Sequence, residues 1–445
     1  MKKFYILTLL ITCSILNSSC SLIKNKPVLD QSNQVDQYKL GIEYAEGIGV
    51  EQSYFEAFKW IKLSADQGYA KAENELGDMY QYGKGIRQNL VEAMKWYRRA
   101  SVEGMAEAQK NIGEMYFQGL GVEQSYIDAL KWLHLAADQG NASAQNGLGL
   151  LYVEGNGAEK NPLQASYWFR LAAEQGMATA QRNIGLMYAL GQGVDQNDEE
   201  SFRWYFLAAG QNDAIAQNEV GIMYEIGRGV EQSFAKAIHW YRLAAEQGYI
   251  IPQIYLGYMY QHGVGVSINY PEAIKWYRLA SEAGDSEGQA RLAYLYENGL
   301  GVSVNYPEAI KWYRLASEAG ASEGQTRLAY LYENGLGIAP NYAEAFQLYQ
   351  LAAEQSDSYA QNSLGRMYEN GYGIEQSYFE ALKLYRLAAK QGYAVAQNNL
   401  GLMFEYGRGV PQDYEETVKW YRLAAEQGYD VAQNNLGLMY ENGRG

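Results

Sequence analysis

Two serine motifs are the first residues whose types and spacing could do chemistry. Residues 284–288 and 320–324 both read Gly-x-Ser-x-Gly, which puts Ser286 and Ser322 where a hydrolase places its nucleophile. Such a serine follows a strand and precedes a helix. Here both flanks have helical periodicity, and the two segments belong to a nearly duplicated stretch. We therefore interpret both matches as coincidental.

A second serine pattern, Ser-x-x-Lys, resembles the signature of penicillin-binding proteins. Ser233 and Lys236 form one copy, and Ser21 and Lys24 form another near the N-terminus. Ser233 stands at a position that serine, asparagine or aspartate fills throughout the chain, directly before a helix. These are the side chains preferred at helix N-caps. The position therefore predicts a structural role for Ser233.

Metal and cofactor chemistry has few candidate residues. His134, His239 and His262 are the only histidines, and they stand at different positions of different repeats. Both cysteines, Cys13 and Cys20, lie within the first 20 residues, so the remaining chain can form neither a disulfide nor a thiolate metal site. The sequence predicts no catalytic residue, no metal site and no cofactor.

The elements that position all these residues are repeats. A Gly-x-Gly pair recurs every 36 residues from Gly47 to Gly443, and all nine tryptophans share one position of the repeat. A period in this range is typical of a solenoid of stacked supersecondary units. Because each unit contacts only its neighbours, chain length does not set the number of domains.

Each unit is predicted to form two helices, called A and B. In the unit that begins near Ala394, helix A ends at Tyr406 before the C-cap Gly407, and helix B follows the N-cap Asp413. A mid-helix glycine such as Gly401 costs about 1 kcal/mol relative to alanine. We expect it to allow close helix approach, with Trp420 and the Ala424-Ala425 pair packed nearby.

The recurring pattern LGxxYxxGxGVxxDYxxAxxWYRLAAEQG resembles the Sel1-like repeat, a relative of the tetratricopeptide repeat. The resemblance covers residues 35–445. It implies an all-α, right-handed α/α superhelical solenoid of about eleven repeats plus a C-terminal half-repeat, with A helices on the concave side. It also implies an adaptor that binds other proteins or peptides. One cysteine-rich group with similar repeats is associated with β-lactam binding or hydrolysis, but its cysteine pair in each repeat is missing here.

The N-terminus reads as an export signal. Lys2 and Lys3 precede an apolar run over residues 4–16, and Ser18 and Ser19 precede Cys20. Residues 1–19 resemble a bacterial lipoprotein signal peptide, which implies lipidation of Cys20. The alternative is ordinary cleavage near Ser19. Residues 20–34 are polar and aperiodic, and we interpret them as a flexible tether.

The candidate binding residues lie on helix A of three middle repeats, at positions that the core pattern leaves free. They are Tyr255, Tyr258, Arg291, Tyr294, Arg327 and Tyr330. Tyrosine and arginine are enriched at binding hot spots. The alternative is that they only pack neighbouring A helices together. A formal net charge of −15 argues against nucleic acid as a partner.

These observations favour an exported scaffold, anchored to the membrane by lipid at its N-terminus, which binds proteins or peptides in the bacterial cell envelope. One alternative is a secreted or surface factor that engages host or competitor proteins. Another is a β-lactam-binding or β-lactam-hydrolysing protein.

Overall fold

A computed structural model describes residues 32–444. These residues form 23 helices and no strand. The chain divides into two compact units, with the boundary between Gln211 and Asn212. Within each unit, an A helix packs against the B helix of its own repeat and against the preceding B helix wherever the unit contains them. The predicted all-α solenoid is therefore confirmed.

The A helices each follow the turn that ends the previous repeat, except for the first of them. They are α1 (Gln34–Glu46), α3 (Ala70–Tyr82), α5 (Ala106–Gln118), α7 (Ala142–Glu154), α9 (Ala178–Leu190), α11 (Ala214–Ile226), α13 (Ile250–His262), α15 (Ser286–Asn298), α17 (Ser322–Asn334), α19 (Ser358–Asn370), α21 (Ala394–Tyr406) and α23 (Asp430–Glu441).

The B helices alternate with them. They are α2 (Tyr54–Asp66), α4 (Leu90–Ser101), α6 (Tyr126–Ala137), α8 (Pro162–Glu174), α10 (Asp198–Gly210), α12 (Phe234–Glu246), α14 (Tyr270–Glu282), α16 (Tyr306–Glu318), α18 (Tyr342–Glu354), α20 (Tyr378–Lys390) and α22 (Tyr414–Glu426).

The helix ends form as their residue types predict. Every B helix starts at a Ser, Asn or Asp whose side chain accepts a hydrogen bond from a backbone N–H of the first turn, as Asp413 does from Glu416. Gly407 ends α21 with a φ of 64°. Where Asn212 and Ser356 replace the glycine after helix B, they adopt the same left-handed backbone, with φ values of 69° and 68°.

Close packing of helix A on helix B depends on a tyrosine rather than on the expected tryptophan. A Cβ atom at Gly401 would lie 2.6 Å from the ring of Tyr421, which is 0% exposed. Trp420, the neighbour named from the sequence, is only partly buried. Helix A therefore approaches helix B closely at Gly401, as expected, but the contact is made by Tyr421, which lies on a different face of the helix from its neighbour Trp420.

A buried glutamine ladder joins successive repeats. Nε2 of Gln139 donates to Oε1 of Gln109 over 2.7 Å, and Gln247 and Gln217 repeat the bond at the same distance. The ladder is broken in three repeats: Glu103 and Glu73 replace the glutamine pair in one, and Ala283 and Ala319 replace the donor in the other two. Oε1 of Gln253 and Oε1 of Gln289 are then buried without a hydrogen-bond partner.

Restoring the ladder should stabilise the protein. Ala319→Gln supplies the missing donor to Gln289, and a buried acceptor that gains its hydrogen bond contributes about 1 kcal/mol. We expect a higher midpoint of thermal unfolding by circular dichroism. Ala319→Glu has the same length but no donor, so it should give no such gain. Equal midpoints for the two variants would show that the hydrogen bond contributes nothing.

Candidate functional site

The six residues chosen from the sequence lie in one row on the A helices of the second unit, and we call them the A-face row. They are Tyr255 and Tyr258 on α13, Arg291 and Tyr294 on α15, and Arg327 and Tyr330 on α17. All six are at least partly exposed, and Tyr258 reaches 43%. They stand at equivalent positions of successive repeats.

Neighbouring members of the row contact each other through cation–π pairs. The Arg291 guanidinium lies 5.9 Å from the ring centroid of Tyr258, and that of Arg327 lies 5.6 Å from the ring centroid of Tyr294. These contacts order the side chains across α13, α15 and α17. The row therefore packs A helices together, as one interpretation held, and still leaves aromatic surface open to solvent.

A recess between two consecutive A helices, which we call a notch, adjoins the row. The notch between α13 and α15 has a volume of about 510 Å³. Tyr255, Tyr258 and Arg291 line it together with five residues that the sequence analysis did not select: Glu225, Ile251, Ile254, Asp285 and Glu287.

The same notch recurs at equivalent repeat positions. Between α17 and α19 it has a volume of about 210 Å³, and its lining residues are Glu323, Thr326, Arg327, Tyr330, Asp357 and Tyr359. In the first unit, Ser143, Asn146, Gly147, Leu150 and Met177 take equivalent positions in a notch of about 260 Å³. Spacing of i, i+4 and i+7 from Ile251 to Tyr255 and Tyr258 was the signal that could have predicted this lining.

Charge in the notch between α13 and α15 is unevenly compensated. Arg291 forms an ion pair with Glu287 at 2.9 Å. Burial, the largest single influence, lowers the pKa of Arg291, but the hydrogen bond to Glu287 and the electrostatic attraction of Tyr277, Glu287 and Glu323 together raise that pKa above its ordinary value. Asp285 caps α15 by accepting from the Gly288 N–H at 2.7 Å. Among the described residues, neither Glu225 nor Asp285 forms an ion pair with an arginine.

Glutamates near the C-terminal ends of the A helices hold the core tyrosines. The Tyr241 hydroxyl donates to Oε2 of Glu225 at 2.5 Å, and the Tyr313 hydroxyl donates to Oε2 of Glu297 at 2.6 Å. Burial and the adjacent carboxylate raise the pKa of both tyrosines. The same bond recurs at 3.0, 2.7 and 2.6 Å in three later repeats, where the glutamates are Glu333, Glu369 and Glu405. Sequence periodicity did not reveal this row.

The serine motifs have the structural positions expected of them. Ser286 is the first residue of α15, after a B helix and the cap Asp285. Ser322 begins α17 in the same way. Ser233 caps α12 by accepting from the Lys236 N–H. None of the three follows a strand, because residues 32–444 contain none.

The histidines lie apart from one another. His239 and His262 are exposed, whereas His134 is half-buried beside Trp168 and contacts the Tyr152 hydroxyl. Burial lowers the pKa of His134. Across residues 32–444, no three histidine, cysteine, aspartate or glutamate side chains cluster as metal ligands. None of the helices in that range is long and apolar enough to cross a membrane.

Repeated A and B helices with in-register notches define the class of the protein as a helical-repeat solenoid. The Sel1 repeat profile matches at 35–69, 70–104, 106–141, 142–177, 178–213, 214–249, 253–285, 286–320, 322–357, 358–393, 394–429 and 430–445. The chain belongs to the Sel1 repeat family, as its sequence pattern suggested. Proteins of this family are generally scaffolds for protein interactions.

Two solved structures share both sequence and fold with the chain. One is c5321, described as a protective antigen present in uropathogenic Escherichia coli strains and displaying an SLR fold. It is 34% identical, with a TM-score of 0.83 over 93% of this chain and 89% of that one. The other is a Sel1 repeat protein from Oxalobacter formigenes, 32% identical, with a TM-score of 0.54 over 68% and 88%. No curated protein matches the sequence significantly.

Proposed function

We propose that the chain is a non-catalytic scaffold that binds proteins or peptides on the surface of its A helices and acts as an adaptor in the bacterial cell envelope. The observation that supports this most is the repetition of one notch at equivalent positions, with the A-face row along its edge. In the second unit an extended partner meets the same recess at two places two repeats apart and can therefore contact both at once.

The composition of the A-face row favours binding over packing alone. Tyr255 and Tyr258 remain 38% and 43% exposed although each contacts a neighbouring helix. Tyrosine and arginine bury large area at low entropic cost, which is why they dominate binding hot spots. Nucleic acid is not the proposed partner, because the net charge is −15 and phosphate backbones require cationic surfaces.

Localisation is proposed from residues 1–34, nearly all of which lie outside the described residues. We propose that residues 1–19 direct export, that Cys20 is lipidated, and that residues 20–34 link the anchor to the repeats. Lipid chains contribute about 0.8 kcal/mol per buried methylene. Cys20→Ser is therefore expected to move the exported chain from the membrane fraction to the aqueous fraction on phase separation in detergent. An unchanged distribution would contradict the anchor.

A second candidate function is a surface factor that engages host or competitor proteins. The structural similarity to c5321, a protein described as a protective antigen, favours this reading. Protease treatment of intact cells separates the two functions, since only a surface-exposed chain is cut. Turnover of a chromogenic β-lactam would instead support a β-lactam hydrolase. Ser233 argues against that function, because its side chain caps a helix.

Site-specific photocrosslinking tests the scaffold proposal. A photoreactive amino acid at Tyr258 or Tyr330 is compared with the same residue at Tyr167 or Tyr342, which are exposed tyrosines on B helices. The proposal predicts protein adducts in host cells from the first pair and none from the second. Adducts from the B helices alone would contradict it.

A further inference from the structure

The glutamates beside the A-face row indicate which kind of side chain a partner would place there. Five A helices of the second unit, all but α13 and α23, carry a glutamate that accepts a core tyrosine hydroxyl on Oε2. Each carboxylate has a second oxygen, Oε1, which the tyrosine leaves free. What occupies Oε1 differs from repeat to repeat.

Two of the five glutamates receive an arginine of the chain itself on Oε1. Arg366, on α19, donates to Oε1 of Glu333 at 2.6 Å. Arg408, in the loop after α21, donates to Oε1 of Glu369 at 2.8 Å. The two arginines come from different positions of the repeat. The glutamate therefore binds a guanidinium that approaches from either position.

Glu225, Glu297 and Glu405 have the same tyrosine bond, and among the described residues no arginine donates a hydrogen bond to any of the three. No hydrogen bond or ion pair is formed with Oε1 of Glu225 or of Glu297 in that part of the chain. Arg327 interacts electrostatically with Glu297 from beyond hydrogen-bond distance. Glu225 also lines the notch between α13 and α15, where Asp285 adds negative charge and Tyr255 and Tyr258 provide aromatic surface. Carboxylates beside aromatic rings bind arginine or lysine well, because ion pairing and cation–π attraction act together.

We propose that the A helices of the second unit bind an extended segment of a partner protein through its basic side chains, one of which enters the notch against Glu225 and another of which reaches Glu297. This inference rests on the proposed scaffold function and specifies its partner. The net charge of −15 favours the encounter with a cationic segment.

Spacing sets the expected register of the bound segment. Glu225 and Glu297 lie on α11 and α15, two repeats apart. Packed helices are separated by about 10 Å, so two repeats span about 20 Å. An extended chain rises about 3.3 Å per residue, which places the two basic side chains about six residues apart.

Fluorescence anisotropy with defined peptides tests the proposal on the full chain. The probe is a labelled serine–alanine peptide with two arginines six residues apart, and the matched peptide carries glutamates instead. We expect the arginine peptide to bind, with weaker affinity at higher salt, and the glutamate peptide not to bind. Equal binding of both peptides, or none by either, would overturn the inference.

Matched variants separate a local site from general charge attraction. Glu225→Gln and Glu297→Gln should each weaken arginine-peptide binding about tenfold or more, which corresponds to the loss of one charge-assisted contact. The fold should tolerate both changes, because Gln261 natively accepts the Tyr277 hydroxyl at 2.9 Å. Glu333→Gln removes the same charge from a site that Arg366 already fills, so it should leave affinity unchanged. Equal losses in all three variants would overturn the proposal.

A gain of binding provides an independent check. Arg366→Leu frees Oε1 of Glu333, and Leu402 shows that leucine is accommodated at this repeat position. We expect tighter binding of the arginine peptide, whereas unchanged or weaker binding would contradict the assignment. If the arginine peptide fails to bind while crosslinks from Tyr258 persist, the basic partner is refuted and the scaffold function remains.

Discussion

Replacing Gly193 with alanine is expected to destabilise the protein more than any other single substitution proposed for it. Gly193 follows α9 with a φ of 68°, a backbone conformation that costs an L-residue about 1 kcal/mol or more. Its Cβ atom would lie 2.7 Å from the Leu163 nitrogen and closer still to the Pro162 carbonyl group. Because this obstacle is backbone at the start of α8, a rotamer change cannot relieve it.

The overlap adds about 1 to 3 kcal/mol of overpacking to the backbone strain. We therefore expect the thermal midpoint of Gly193→Ala, followed by circular dichroism, to fall by roughly 10 °C or more. Gly176→Ala is the matched control, since its φ is 90° and nothing lies within 4 Å of the added Cβ. If the thermal midpoints of both variants fell equally, the close contact of Gly193 with the start of α8 would contribute nothing to stability.

Replacing Tyr258, Tyr294 and Tyr330 together with serine is expected to abolish partner capture while helix content stays unchanged. The three rings stand at one repeat position of the A-face row and are at least partly exposed, and those of Tyr258 and Tyr330 line its notches. A hot-spot tyrosine contributes about 2 kcal/mol or more to binding, so losing three lowers affinity by about four orders of magnitude or more. Their loss removes no residue of the buried core.

The control for this experiment replaces three exposed tyrosines of the B helices, Tyr54, Tyr167 and Tyr342, with serine. Both triple variants replace three tyrosines with serine. Affinity capture from envelope extracts, with the captured protein identified by mass spectrometry, should recover the same partner with the control variant and lose it with the A-face variant. Retention of the partner by the A-face variant would remove the row from the binding surface.

Features that depend on neighbours in sequence could be predicted from the sequence. The helix caps at Asp413 and Gly407 act within a single turn, so residue type and spacing suffice to place them. Asn212 and Ser356 adopt the left-handed backbone because they replace a C-cap glycine in an otherwise constant pattern. The same periodicity selected the six residues of the A-face row, which the structure brings together.

Contacts between repeats could not be predicted from the sequence. Gln139 reaches Gln109 across 30 residues, and Tyr241 reaches Glu225 across 16. Both contacts depend on the rotation of one helix about its neighbour, which a 36-residue period leaves undetermined. The same uncertainty left Tyr421 unrecognised as the residue that packs on Gly401. It also concealed the free Oε1 atoms, because the glutamates at this repeat position look alike in sequence and only their spatial neighbours distinguish one from another.

The most direct test of the account is the structure of the full chain bound to its captured partner, determined by electron cryomicroscopy. The account predicts partner density along α13, α15 and α17, with contacts to Tyr258, Tyr294 and Tyr330. Partner density confined to the B helices, with the A-face row left in solvent, would contradict it.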